Sequence, residues 1–147
     1  MRIIEITKNK KEYLDLLLLA DEQEDMIDRY LDRGTMYVLD DNGVKCECVI
    51  TDEGNGVVEI KNIATVPEYQ GKGYAAALIE FLTRKYRGRY SVLQVGTGDS
   101  PLTIPFYEKC GFARSHIIPN FFTDNYDHPI FECGVRLKDM VYLKRKI

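Results

Sequence analysis

Residues 57–82 run VVEIKNIATVPEYQGKGYAAALIEFL, and no other stretch restricts the fold of this chain so tightly. A β-branched segment, Val57 to Thr65, leads through a short loop containing Pro67 into Gln70-Gly71-Lys72-Gly73-Tyr74-Ala75. Beyond it the apolar residues recur at helical spacing, with Ala75, Leu78, Ile79, Leu82 and Tyr86 on one face. The order is strand, glycine-rich loop, helix. The first amide N–H groups of a helix have no partners within it and lie at the positive end of its dipole, while glycine lets backbone approach a ligand closely. The stretch therefore predicts an anion site made largely of backbone.

The flanking sequence supplies the rest of a mixed α/β domain. Residues 2–6 read as a strand, followed by helices over Tyr13–Ala20 and Glu24–Leu31. In the second of these, Met26, Ile27, Tyr30 and Leu31 share a face and Gly34 is a stop. Residues 35–39 and the segment from Val44 form a hairpin through Asp41-Asn42-Gly43, with Val44, Cys46, Cys48 and Ile50 facing one way and Lys45 and Glu47 the other. A strand at Ser91–Val95, a helix from Pro101 to Lys109 ended by Gly111, and two closing strands complete the order. With 147 residues, 45% hydrophobic composition and no linker or repeat, residues 1–147 read as one domain: a mixed, twisted sheet flanked by helices.

Several function classes are disfavoured. Lys and Arg total 20 against 23 Asp and Glu, a net charge of −3, so no basic field calls for nucleic acid. No apolar run has membrane-spanning length, and a cytoplasmic location is expected. Cys46, Cys48, Cys110 and Cys133 lack zinc-site spacing, and no metal is expected. Gly71, Gly73 and Ala76 fit the dinucleotide pattern G-x-G-x-x-A. That motif, however, needs its first glycine close behind the strand and an acid ending the next one, where Val92-Leu93-Gln94-Val95 stands instead. A P-loop needs Ser or Thr after its lysine, and Lys72 is followed by Gly73.

Gln70, Gly73 and Ala75 meet the signature Q/R-x-x-G-x-G/A, and here the chain resembles the GNAT superfamily of acyl-CoA-dependent N-acyltransferases. A second block of that family, Y-x-x-x-G-F, is matched by Tyr107, Gly111 and Phe112 downstream. The resemblance is clear over residues 57–112 and looser over the rest. It implies a sheet that splays beside the pyrophosphate loop and acetyl-CoA as cosubstrate. Gln70, Gly71, Lys72, Gly73, Tyr74 and Ala75 would hold the pyrophosphate, and the backbone of Ile63, Ala64 and Thr65 the pantetheine. Thr65 replaces the usual Val. Ser100 and Thr103 replace the usual Asn and Ala before the second helix, where Ser100 would still meet the pantetheine.

Roles follow from the chemistry of amine acylation. An ammonium near pKa ~10 must lose a proton, an oxyanion must be held, and a thiolate whose acid has a pKa near ~8.5 must be protonated. Tyr107, a phenol at the family's general-acid position, is assigned the last task, and a backbone N–H near Ile63 or Ala64 the oxyanion. Glu59 lies eleven residues before Gln70, the spacing of the glutamate base in some histone-type members, and is expected to act as base through a water or a raised pKa.

In residues 120–134, read as a loop, Phe121, Phe122, Tyr126 and Glu132 form an expected acceptor wall suited to a cationic amine. The resemblance puts the first helices at the other acceptor wall, where Asp21-Glu22-Gln23-Glu24-Asp25 could guide a basic substrate; the favoured reading is a solvated face, and His116 and His128 read as structural or loop residues. The acceptor is expected to be an amine of a small molecule or peptide, with no nucleic acid or membrane partner; a homodimer stays open. A non-catalytic acyl-CoA sensor is the alternative to an enzyme.

Overall fold

The computed structural model describes residues 1–147. Nine strands are formed: β1 (Arg2–Ile6), β2 (Thr35–Asp40), β3 (Val44–Gly54), β4 (Val57–Thr65), β5 (Val92–Gly98), β6 (Ala113–Ile118), β7 (Phe131–Glu132), β8 (Val135–Arg136) and β9 (Met140–Lys146). Five helices accompany them: α1 (Leu14–Ala20), α2 (Glu24–Asp28), α3 (Tyr74–Tyr86), α4 (Ile104–Lys109) and α5 (Phe121–Asn125). Seven strands join in the order β1-β2-β3-β4-β5-β9-β6, and β7 and β8 form a separate hairpin. All neighbours run antiparallel except β4 and β5.

Both faces of the sheet are covered. Leu78, Ile79, Leu82 and Tyr86 of α3, with Ile104 and Tyr107 of α4, pack on Cys46, Cys48, Ile50, Val58, Ile60, Leu93 and Val95. The opposite face buries Leu17 of α1 and Ile27 of α2, with Tyr30 and Leu31, on Met36, Val38 and Val49. Each fully buried Leu or Ile contributes about 1.5–3 kcal/mol. Two-sided cover also changes the meaning of the β3 alternation: Lys45 and Glu47 oppose the cysteines as expected, yet both are buried. Both Glu47 oxygens lack a hydrogen-bond partner, and burial pushes the carboxyl pKa well above its usual range.

The elements differ most from the sequence expectation at three places. Regular helix ends at Asp28 rather than Leu31, although Tyr30 and Leu31 still donate to the Ile27 carbonyl and keep their buried positions. Lys10 Nζ takes the Leu31 and Gly34 carbonyls at 2.8 and 2.7 Å, satisfying that end from outside. The region read as a loop over 120–134 contains α5 and half of the β7–β8 hairpin, whose turn is made by Cys133 (φ 51°) and Gly134 (φ 75°). Finally, α4 begins at Ile104 rather than Pro101, because Ser100 Oγ accepts the Leu102 N–H at 3.0 Å and holds a turn first.

The second sequence block is a helix terminator. Gly111 sits at φ 93° after the last turn of α4; its N–H donates to the Glu108 carbonyl, and the Phe112 N–H donates to the Tyr107 carbonyl. These are the paired bonds of a Schellman ending, and the apolar contact that accompanies it is the edge-to-face packing of Tyr107 on Phe112, centroids 5.8 Å apart. Gly111→Ala forces a Cβ into the left-handed region and is expected to destabilise the fold by about 1–2 kcal/mol, read as a lowered denaturant midpoint with unchanged slope.

Candidate active site

Strands β4 and β5 pair only from Val57 with Val92 to Ile60 with Val95, and then diverge. The divergence opens a cleft of about 450 Å³, with Lys61, Asn62, Ile63, Ala64 and Thr65 on one side and Gly96, Thr97 and Gly98 on the other. A Cβ on Gly98 would lie 2.5 Å from Leu137, so glycine lets that side chain lie against the strand. The Val66 N–H donates to the Lys45 carbonyl, and β4 pairs with β3 through Thr65 with Cys46, Ala64 with Glu47 and Ile63 with Cys48. Antiparallel alternation then turns the Ala64 N–H toward β3 and the N–H groups of Ile63 and Thr65 toward the cleft.

At one end of the cleft stands the glycine loop. Gly71 (φ 78°) and Gly73 (φ 88°) occupy backbone space that other residues rarely adopt, and Gly73 caps α3. The amides of Gly71, Lys72, Gly73, Tyr74, Ala75 and Ala76 donate no hydrogen bond within the chain. They form a cradle of donors at the positive end of a 13-residue helix. Gln70 Nε2 reaches the Thr65 carbonyl at 3.3 Å, tying loop to strand. Tyr74 O–H donates to Asp41 at 2.7 Å, and the Lys45 and Lys72 ammoniums lie 4.0 and 5.8 Å from the Tyr69 ring centroid, adding positive charge beside the loop.

Tyr107 lines the cleft from α4. Its ring is wedged against Phe106 and Phe112, and burial pushes its pKa well above the ordinary tyrosine value, so it stays protonated at neutral pH. Glu132 and Thr103 also line the cleft, and burial raises the Glu132 pKa. Thr103 shares a 2.8 Å hydroxyl bond with Thr97, another lining residue. Ser100 is buried and does not line the cleft; it organises the turn before α4.

Glu59 is not brought to the cleft. Its carboxylate pairs with Lys61 Nζ at 2.8 Å and accepts bonds from Gln94 Nε2 and Tyr142 O–H. Strand β4 carries a bulge just beyond it: β3 Val49 pairs with Asn62 and Ile50 with Ile60, leaving Lys61 extra. One extra residue exchanges the faces of everything beyond it, so Glu59 does not share the side of Ile63 that simple alternation would assign.

The far end holds the expected aromatics with one exception. Phe122, Tyr126 and Glu132 line the cleft, whereas Phe121 packs behind Phe122 and Tyr126. The acidic stretch after α1 is not uniformly solvated: Asp21 and Glu22 line the cleft, and Asp21 is only partly exposed. His128 bridges Glu22 at 3.1 Å and Asp127 at 2.6 Å, and His116 stacks on Tyr142. The resemblance offered the acidic stretch as a guide for a basic substrate, but nothing in the sequence singled out Asp21 within it, because its partner Tyr126 is 105 residues away.

Comparison with known proteins agrees with this geometry. The acetyltransferase (GNAT) domain model matches residues 32–114. The chain is 36% identical over 135 residues to the uncharacterized N-acetyltransferase YvbK of Bacillus subtilis (strain 168), covering 90% of this chain and 87% of that protein. A GNAT family acetyltransferase from Elizabethkingia anophelis, solved with acetyl-CoA bound, superposes with a TM-score of 0.93 at 34% identity over 99% of this chain and 97% of that one. The IAA acetyltransferase from Bacillus cereus ATCC 14579 superposes with a TM-score of 0.92 at 34% identity, covering 99% of both chains. A seven-stranded sheet that parts beside a glycine-capped helix, joined to this match along nearly the whole length, leads to one conclusion: the chain belongs to the GNAT family of acetyltransferases.

Proposed function

We propose that the protein transfers an acetyl group from acetyl-CoA to a primary amine of a small molecule or peptide, by direct attack in a ternary complex. The observation that carries this reading is one continuous cleft running from Gln70 and Ala75 past the buried Tyr107 to the carboxylates Asp21, Glu22 and Glu132. The pyrophosphate sits on the amides of Gly71 to Ala76, and the pantetheine runs along β4, bonding the cleft-facing backbone of Ile63 and Thr65. The Ile63 N–H receives the developing oxyanion.

The amine nitrogen attacks the thioester carbon while Tyr107 donates its proton to the departing sulfur. Glu132 takes the amine proton: it lines the cleft, and a carboxylate with a raised pKa is a better base than an ordinary one. Glu59 supports the wall by holding Lys61. Calorimetric titration with acetyl-CoA, followed by thiol release against a panel of primary amines, tests the whole reading. Absence of acetyl-CoA binding would overturn it.

The base assignment has a pH signature. A base must be ionised to work, so kcat should fall as pH drops through a Glu132 pKa above the usual carboxylate value near ~4.3. Glu132→Gln is expected to remove that acid limb and lower kcat about 100-fold, measured as a pH–rate profile.

A further inference from the structure

Asp21 ends α1 in an extended conformation, φ −143° and ψ 95°, and its carboxylate is held from two directions. Tyr30 O–H donates to Oδ2 at 2.9 Å and Tyr126 O–H to Oδ1 at 2.6 Å. With the Tyr30 proton so engaged, Asn62 Nδ2 donates to the Tyr30 oxygen at 3.1 Å and to the Leu17 carbonyl at 3.0 Å, which fixes the direction of the whole chain of bonds. Asn62 is itself 3% exposed, lines the cleft, and has an Oδ1 without any donor.

Two phenols orient a carboxylate without neutralising it, and Asp21 takes part in none of the chain's ion pairs. The one cationic side chain lining the cleft, Lys61, lies 2.8 Å from Glu59 and 3.9 Å from Glu53. An acceptor bearing an acid group would meet three carboxylates and no free cation. A cationic acceptor meets the reverse.

The reacting nitrogen must lose its charge before it attacks, and a carboxylate bonded to an ammonium favours the charged form. Asp21 is therefore suited to a group that stays charged throughout transfer, and the apolar walls at Phe122, Ile130 and Met140 suit a methylene chain. Resting on the acetyltransferase reading, we propose that Asp21 is a specificity-determining residue that anchors one ammonium of a diamine whose other nitrogen is acetylated beside Tyr107. The transfer keeps its balance: a C–N bond forms, the C–S bond breaks, the ammonium gives its first proton to Glu132, sulfur takes the proton of Tyr107, and the second nitrogen proton restores the Tyr107 phenol.

The test compares thiol release with 1,4-diaminobutane, butylamine and 4-aminobutanoate. The unaltered protein is expected to prefer the diamine over butylamine in kcat/KM by about tenfold or more, and to reject the amino acid. Asp21→Asn should bring the diamine-to-butylamine preference close to one, and Tyr126→Phe, which keeps the carboxylate but removes one donor, should give an intermediate ratio even if the first variant folds poorly. Equal use of diamine and butylamine, turnover of 4-aminobutanoate at the diamine's rate, or a preference that survives Asp21→Asn would overturn the anchor. Failure to bind acetyl-CoA, with no thiol released by any amine, would instead sink the acetyltransferase reading on which the anchor rests.

Discussion

Tyr107→Phe is expected to lower kcat by about 100-fold or more while leaving the acetyl-CoA dissociation constant within about twofold. The ring does the structural work: it packs edge-to-face on Phe106 and Phe112, centroids 5.2 and 5.8 Å away, and its backbone carbonyl closes the Schellman ending. Phenylalanine keeps all of that. What it removes is a hydroxyl that bonds nothing in the chain and opens onto the cleft. On the proposed mechanism the thiolate would then have to leave unprotonated into a site of low dielectric, where an unpaired charge is costly. Single-turnover thiol release, with the dissociation constant measured on the same samples, checks both halves. A variant with full turnover would remove Tyr107 from the mechanism and leave positioning and the Ile63 amide to account for the rate.

Gly73→Val should weaken acetyl-CoA binding by at least about tenfold. At φ 88° a residue with a Cβ is strained by roughly 1–2 kcal/mol, and a β-branched one is worse placed still. Space is not the obstacle, since a Cβ at Gly73 would meet nothing of the chain within 4 Å. The effect arises where the ligand's phosphates must come close to the amides, and where relaxation of φ turns those amides away. Calorimetry against acetyl-CoA measures the loss, and the thermal midpoint of the free protein separates it from general unfolding. Wild-type affinity in a folded variant would mean that the anion site lies elsewhere.

The parts of this molecule that were legible in the sequence are those whose physics is local. Gly71, Gly73 and the periodic face of α3 announce a capped helix within a dozen residues, and Tyr107, Gly111 and Phe112 are spaced by the geometry of one helix ending. The acceptor end depends instead on groups far apart in the chain. Asp21 turns inward because Tyr30 and Tyr126 meet it there, and no period in the acidic stretch records that. The surroundings of Glu59 were not legible either: its spacing to Gln70 says nothing of the Lys61, Gln94 and Tyr142 groups that take up its carboxylate, or of the bulge at Lys61, which nothing in VVEIKNIAT marks. The helix α5 and the hairpin at Cys133-Gly134 were hidden by turn-rich composition that suits a loop equally well.

The partial pairing of β4 with β5 gives the middle of the sheet the chemistry of a rim. Beyond Ile60, two internal strands carry backbone groups that no neighbouring strand satisfies, a condition other proteins confine to their outer edges and guard with charge or proline. On the proposed reading the guard is removable: the amide-rich arm of the cosubstrate would fill the gap, leave with each product, and be replaced. Shortage of the coenzyme would then be more than a loss of substrate, because it would leave raw strand edges open to pairing with other chains. Purification and storage with coenzyme A present should accordingly protect the protein beyond what tight binding alone adds to its stability.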